Sequence, residues 1–169
     1  IIDFDLEAPG VGAYLKKLNP AYDQKREGIL EYLYDAVSGQ KIPSLIDRAI
    51  NLTADLKGSN GGKLWSISAG NTSDRLYSKR LESLKWGEIF EKKFGELLLK
   101  NLKNQIASEF ENPDYVFIDS RTGITETGGV CTRYLADILV VLTSLNEQNI
   151  SGTSRIYKEL AAEVKETIL

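Results

Sequence analysis

The sequence predicts an α/β domain built on a mostly parallel sheet that is flanked by helices on both faces. Apolar runs at Tyr115–Ile118 and Ile138–Leu142 are nearly continuous, which is typical of strands buried on both faces. Segments with apolar residues at helical spacing separate the predicted strands, and this alternation favours parallel pairing. The 169 residues, 42% hydrophobic and 27% charged, are typical of one globular domain covering residues 1–169.

Each element of this fold has a local signal in the sequence. Short alternating or apolar runs predict strands, and apolar residues three and four positions apart predict helices. In order, we expect a strand at Ile1–Asp5, helices at Ala13–Leu18 and Gly28–Val37, a short helix and an extended segment within 42–52, a turn at 57–63 and a strand at Leu64–Ser68.

The second half begins with the longest helical pattern, which covers Tyr77–Glu111 and ends at Asn112-Pro113. Gly95 inside this pattern marks a kink or a close helix contact. The remaining predicted elements are a strand from Tyr115, a loop and short helix within 128–135, a second buried strand at Ala136–Thr143 and a helix at Gly152–Ile168 capped by Ser151.

Composition excludes several classes of function. A formal net charge of −3 gives no basic surface for nucleic acid or anionic lipid, and no apolar run approaches the roughly 20 residues that span a bilayer. The chain has no histidine, which removes Ser-His catalysis and histidine zinc sites. The single cysteine, Cys131, cannot form an internal disulfide, and we expect a packed thiol in a cytoplasmic protein.

Two acidic residues stand at the end of the first predicted strand. Alternation along a strand places Asp3 and Asp5 on one face, at the carboxyl edge where parallel sheets bind ligands. Adjacent carboxylates repel each other unless a cation or a donor lies between them, and magnesium prefers such oxygen ligands. A second interpretation stays open, in which Asp5 caps the following turn and Asp3 accepts hydrogen bonds from the backbone.

A third acidic residue, Asp119, follows the apolar run at Tyr115–Ile118 and begins the segment Asp119-Ser120-Arg121-Thr122-Gly123. The aspartate could hold a metal-bound water while a backbone N–H in this segment contacts a phosphate, so that hydrolysis reorganises the loop. The alternative is a strand-terminal aspartate that opens a turn. Arg121 could reach a phosphate or a partner carboxylate, or could pair on the surface.

These motifs resemble those of the deviant Walker A family of P-loop ATPases, the MinD and ParA relatives. The likeness covers most of the chain, and its most specific part runs from Asp114 to Thr132. The other matching segments are Asp3–Gly10, Ile67–Gly70, Leu84–Trp86 and Asn146–Gln148.

The resemblance implies a P-loop NTPase-like fold and a role for each carboxylate. Asp5 takes the position of the catalytic aspartate that orients the attacking water. Asp3 stands where a carboxylate supports the magnesium shell, and Asp119 matches the Walker B aspartate, so both are implied metal-site residues.

The resemblance also implies nucleotide-binding residues. Gly123 matches the switch glycine beside the γ-phosphate, and Arg121 stands where many relatives have proline. Asn146, Glu147 and Gln148 match a loop that borders the base and ribose of ATP, although an ordinary solvated loop before the last helix is the alternative.

The chain departs from the family because it lacks the glycine-rich lysine loop, which precedes the first acidic strand in those proteins. Gly58–Lys63 is no substitute, since its glycine spacing differs and Leu64 stands where serine or threonine should hold magnesium. We therefore expect a domain that is incomplete at its amino terminus and at its carboxyl terminus, and that binds ATP weakly or not at all without that loop.

By this resemblance we expect a magnesium-dependent switch that binds and hydrolyses ATP, cycles between an ATP-bound homodimer and a monomer, and acts on an unidentified regulatory or cargo protein. The alternative is a catalytically inactive nucleotide-sensing or scaffold module of a larger bacterial signalling protein. A phosphoacceptor receiver domain also clusters acids at strand ends, but the long helical insertion between Asp5 and Asp119 argues against it.

Overall fold

Four short strands form one sheet within the residues that the computed structural model describes, which are 1–20, 22, 26–39, 43–55, 61–121 and 125–168. The strands are β1 at Ile2–Asp3, β2 at Ala49–Asn51, β3 at Trp65–Ile67 and β4 at Ile118–Asp119. Their order across the sheet is β2-β3-β1-β4.

The sheet is mostly parallel, as the sequence predicts. The central strand β1 pairs in parallel with β3 and with β4, so that Ile2 has both Ile67 and Ile118 as register partners. Only β2 is antiparallel, and it pairs with β3 at the opposite edge from β4. The carboxyl ends of β1, β3 and β4 therefore meet at one edge of the sheet.

Helices occupy the connections between these strands and the carboxyl-terminal end of the described chain. A π-helical turn at Cys131–Leu135 directly follows the sixth helix, and 3₁₀ turns lie at Ile46–Arg48 and Thr53–Asp55. The helices are α1 at Val11–Leu18, α2 at Ile29–Val37, α3 at Tyr77–Ser83, α4 at Trp86–Glu91, α5 at Phe94–Glu109, α6 at Glu126–Val130 and α7 at Glu147–Ile168.

The two faces of the sheet carry cores of unequal size. Ile2 points into the larger core, which α2 to α5 cover and in which Leu98 of α5 is fully buried. Ile1 packs on the other face, against a small cluster that contains Leu15 of α1 and Leu52. Alternation along β1 explains the division, because successive side chains point to opposite faces. Helices thus lie on both faces, as predicted.

The single long helix predicted over Tyr77–Glu111 is wrong, because this segment forms α3, α4 and α5. Between α4 and α5, Lys93 has a φ of 56°, a left-handed conformation that an α-helix does not contain. The predicted close contact at Gly95 is confirmed, since a Cβ there would lie 2.7 Å from the Phe90 ring. Glycine therefore lets α5 approach the end of α4.

The prediction of a buried strand at Ala136–Thr143 is wrong. This segment pairs with no strand within the described residues, and Ile138 and Leu142 are 84% and 92% exposed. Tyr115, expected at the start of a buried strand, is 79% exposed, and only Ile118–Asp119 form β4. An apolar run becomes a buried strand only where a neighbour takes up its backbone hydrogen bonds and other elements cover its faces.

The last helix begins earlier than predicted. Glu147 rather than Gly152 is its first residue, and Asn146 rather than Ser151 caps it. The backbone N–H of Asn149 donates to Asn146 Oδ1 at 2.9 Å, which is the contact expected of an N-terminal cap. Asparagine and serine are both common N-cap residues, and here the asparagine occupies the capping position.

Three other predictions concern local boundaries. The loop expected at Gly128-Gly129 is part of α6, because Thr125 Oγ1 accepts a hydrogen bond from Gly128 N–H at 3.0 Å and caps that helix. The short helix and extended segment expected within 42–52 are confirmed from residue 43 onward as a 3₁₀ turn followed by β2. Of the turn expected at 57–63, residues 57–60 lie outside the described residues.

Candidate functional site

Asp3 and Asp119 lie opposite each other at the carboxyl ends of two neighbouring parallel strands. They are register partners of β1 and β4, and Phe4 N–H donates to the Asp119 carbonyl at 2.7 Å. Side chains in register on parallel strands extend from the same face, so the two carboxylates stand at one end of the sheet. The fold therefore brings together the two residues implied as metal ligands.

The Asp3 carboxylate is buried close to other negative charges. Asp3 is 2% exposed, and burial, followed by the charge of Asp119, raises its pKa from 3.8 to about 6. The backbone N–H groups of Asp5 and Val11 donate to it, the first at 3.2 Å, and these bonds act to lower the pKa. Backbone donors to Asp3 are what the second interpretation of the sequence predicted.

Asp5 lies in the loop after β1 and has two partners. Ala8 N–H donates to its Oδ1 at 3.1 Å, which confirms the predicted turn cap, and Nη1 of Arg121 lies 3.4 Å from the same oxygen. Arg121 also places its Nε 3.0 Å from Glu7 Oε2. Arg121, predicted to reach a phosphate or a partner carboxylate or to pair on the surface, thus pairs with two carboxylates of its own chain.

Asp119 is exposed, in contrast to Asp3. Desolvation, followed by the charge of Asp5, raises the pKa of Asp119. Asp3, Asp5 and Asp119 therefore influence one another electrostatically, and we call these three residues the carboxylate end of the sheet. Gly123, the predicted switch glycine, lies outside the described residues, so its phosphate contact stays a prediction.

The predicted base and ribose loop lies at the start of α7. Asn146–Gln148 are exposed, and Asn146 is held locally, with its Nδ2 donating to Ser144 Oγ at 3.0 Å. Within the described part of the chain, no hydrogen bond or ion pair joins Asn146–Gln148 to the carboxylate end. Their geometry is that of a solvated helix start, and a nucleotide contact by these residues stays a prediction.

The rejected glycine and lysine segment lies at the opposite edge of the sheet. Lys63 precedes β3, which is parallel to β1, so Lys63 stands at the amino ends of these strands, where its Nζ lies 2.6 Å from Glu111 Oε2. A cavity of about 430 Å³ also opens at that edge, with Trp65 and Phe110 among its lining residues. Neither feature is placed to serve the carboxylate end, and residues 58–60 lie outside the described residues.

Two buried residues that the sequence did not single out support the loops at this end. The Tyr77 hydroxyl of α3 donates to the Leu6 carbonyl at 2.8 Å and so fixes the loop after β1. Glu31 of α2 accepts from Gly28 N–H at 2.8 Å and from Asn71 N–H at 3.2 Å, which holds the loop after β3. The spacing of Gly28 and Glu31 is that of a capping box, so the sequence indicates the bond from Gly28 but not the bond from Asn71.

The donor set at the carboxylate end suits magnesium rather than a metal held by protein groups alone. No group of three or more His, Cys, Asp or Glu side chains that could hold a metal ion occurs within the described residues. Magnesium keeps several waters and binds through one or two carboxylates together with phosphates. Asp3 and Asp119 supply two carboxylates, and the Arg121 guanidinium beside Asp5 shows that this end already attracts a cation.

Comparisons with known proteins give no match for this chain. No family model matches its sequence, and no curated protein or solved structure is significantly similar to it. In the part of the chain that the structure describes, none of the helices combines the length and apolar character needed to cross a membrane. The interpretation of the site therefore depends on its own geometry and on the motifs of the sequence.

Proposed function

We propose that this chain carries part of a MinD/ParA-like, magnesium-dependent ATPase domain with a P-loop NTPase-like fold. The observation that supports the proposal most is the register of Asp3 against Asp119 on adjacent parallel strands, at the edge where such sheets bind ligands. The order of the motifs along the chain, from Asp3 to Thr132, gives independent support.

In this proposal each residue has one task. Magnesium, when bound, orients the phosphates and offsets their charge. Asp3 and Asp119 hold the water shell of the ion, and Asp5 orients the attacking water by accepting a hydrogen bond from it. A backbone N–H at Gly123 contacts the γ-phosphate, so that hydrolysis releases the segment after β4.

The wider cycle follows from the same resemblance. The ATP-bound form is a homodimer joined across the nucleotide face, and hydrolysis returns it to the monomer and resets the surface for a regulatory or cargo protein. Asn146–Gln148 contact the base and ribose. The net charge of −3 and the lack of an apolar span favour action in the cytoplasm rather than on nucleic acid or lipid.

One observation favours the second candidate, a nucleotide-sensing or scaffold module without catalysis. The carboxylate of Asp5 is engaged by Ala8 N–H and by Arg121, so the residue that should orient water already has partners. A module of this kind keeps the fold and the contacts between its loops but does not hydrolyse ATP.

Hydrolysis of ATP by the full-length protein distinguishes the two candidates. We expect magnesium-dependent ATP hydrolysis that falls by about 100-fold or more in Asp5→Asn and in Asp119→Asn, because the first variant removes the carboxylate that orients the attacking water and the second removes one that holds the water shell of magnesium. Asp114→Asn is the matched control, since Asp114 is exposed and lies before β4, at the amino edge.

The outcomes separate cleanly. Loss of hydrolysis in the two site variants with full activity in Asp114→Asn supports the ATPase. Hydrolysis that is unchanged in Asp5→Asn and Asp119→Asn contradicts the assigned roles. Binding of ATP without hydrolysis in the unmodified protein favours the sensing module.

A further inference from the structure

Arg121 links the two loops that follow the central strands of the sheet. It lies just after β4, while both of its partners, Asp5 and Glu7, lie in the loop after β1. Its two contacts are unequal, because Nε is 3.0 Å from Glu7 and Nη1 is 3.4 Å from Asp5. Charge-assisted hydrogen bonds normally measure about 2.7–2.9 Å, so the contact with Asp5 is the looser one.

In this geometry the guanidinium has a second carboxylate partner, Glu7. If Arg121 moves away from Asp5, the closer Glu7 still compensates its charge, and Glu7 is sufficiently exposed to follow it. Asp5, by contrast, belongs to the carboxylate end, where the charges of Asp3 and Asp119 are close. A cation that enters this end therefore meets the Arg121 guanidinium, whose Nη1 lies 3.4 Å from Asp5.

We infer that Arg121 is the resident counter-ion of the carboxylate end and that its positive charge competes there with a divalent cation held by Asp3 and Asp119. The inference rests on the proposed function, because it takes the carboxylate end as the magnesium site. Two positive charges a few ångströms apart repel each other, so binding of the ion drives the guanidinium toward Glu7. This movement frees Asp5 to accept a hydrogen bond from water only when the ion is present.

The competition can be measured on the 169-residue chain without nucleotide. Manganese(II) serves as the probe, and electron paramagnetic resonance of the free ion gives its dissociation constant. We expect Arg121→Gln to lower the dissociation constant about fivefold to tenfold, because the variant removes one positive charge within several ångströms of the ion. Arg155→Gln, the same change on an exposed arginine of α7 that pairs with Glu159, should stay within about twofold of the wild type.

Arg121→Lys separates charge from structure. Lysine keeps the positive charge, so its dissociation constant for manganese(II) should lie within about twofold of the wild-type value. Circular dichroism of each variant checks that the chain remains folded. If Arg121→Lys behaves like Arg121→Gln, the side chain acts through the shape of the loop, and the inference is wrong.

Three further results overturn the inference, and they are distinguishable from failure of the proposed function. An unchanged or higher dissociation constant in Arg121→Gln removes the competition, as does an equal gain in Arg155→Gln. If hydrolysis of ATP nevertheless depends on Asp5 and Asp119, the proposed function is supported although the inference is wrong. Absence of manganese(II) binding in both the wild type and Arg121→Gln overturns the inference together with the metal site.

Discussion

The amino-terminal part of the molecule (described residues up to 112) buries most of its large apolar side chains, whereas the carboxyl-terminal part (113–168) exposes most of those that the structure describes. Leu33 and Leu98 are fully buried in the first part. Among the described residues, twelve of the sixteen exposed large hydrophobic side chains lie in the second part, although it is much the shorter one. Sequences of similar apolar content thus have opposite environments.

An apolar run in the sequence indicates that the segment could be buried, but whether it is buried depends on which other elements cover it. Within Ile138–Leu142, Leu139 and Val141 are less exposed than Ile138 and Val140, an alternation typical of a strand with one face toward the protein. The carboxyl-terminal part therefore presents strand-like apolar surface that is uncovered within the described residues. The carboxylate end lies where the two parts meet, because Asp3 and Asp5 belong to one and Asp119 to the other.

The largest expected difference between the two parts is in the cost of removing a leucine side chain. Leu98→Ala should lower the free energy of unfolding by about 3 kcal/mol, because it leaves a cavity in the larger core, against which α5 packs. Leu142→Ala should change it by less than about 0.5 kcal/mol, because that side chain is already in solvent. Urea unfolding measures both, and equal losses would show that Ile138–Leu142 is covered in solution.

Two glutamates that both contact arginine, one in each part, should also differ in their contribution to stability. Glu31 is buried and lies 3.6 Å from Arg80, while Glu159 contacts Arg155 at the exposed surface of α7. Glu31→Gln should cost about 2 kcal/mol of unfolding free energy, because the backbone donors of two loops lose a charged acceptor. Glu159→Gln should cost less than about 0.5 kcal/mol. Equal costs would contradict the burial assigned to Glu31.

The pH dependence of stability separates the buried carboxylate from the exposed one. The pKa of Asp3 rises from 3.8 to about 6 on folding, so the folded chain binds this proton more tightly than the unfolded chain. The stabilisation that protonated Asp3 adds to the folded state is fully present below about pH 4 and is lost as pH rises through about 6. Asp3→Asn should therefore gain about 2 kcal/mol relative to the wild type between pH 4 and pH 7.

Asp119→Asn serves as the control for this titration. Its carboxylate is exposed, and although its pKa is also raised, solvent screens the interaction, so the change with pH should be smaller. Urea midpoints at several pH values measure both variants. A stability difference between Asp3→Asn and wild type that does not vary with pH contradicts the burial of Asp3 beside Asp119.

Local patterns predicted those parts of the fold that depend on neighbours in the chain. The mostly parallel character of the sheet, the helices at α1 and α2, and the tight contact at Gly95 all follow from such patterns. The break of the long helix at Lys93 does not, because lysine gives no sign of a positive φ. Exposure of Ile138–Leu142 was also unpredictable, since burial depends on residues far away in sequence.

The candidate site shows the same division. Asp3, Asp5 and Asp119 could be predicted from their position after apolar runs, and their turn contacts were anticipated as an alternative. The contact of Tyr77 with Leu6 joins distant segments and leaves no local pattern. The pairing of Arg121 with Asp5 and Glu7 likewise depends on the register of β1 against β4, which only the folded chain reveals.

In the proposed function, Asp3 and Asp119 form one cation site across the boundary between the two parts. Manganese(II) added to the ¹⁵N-labelled chain tests it directly, because the ion broadens the amide resonances nearest to it. We predict that the broadening is strongest at Asp3–Asp5 and at Asp119–Ser120, is weaker at residues 61–64 and 114–115 at the opposite edge, and is lost in Asp119→Asn. Broadening that is uniform, that is strongest at the opposite edge or that survives Asp119→Asn would show that the two carboxylates do not form one cation site.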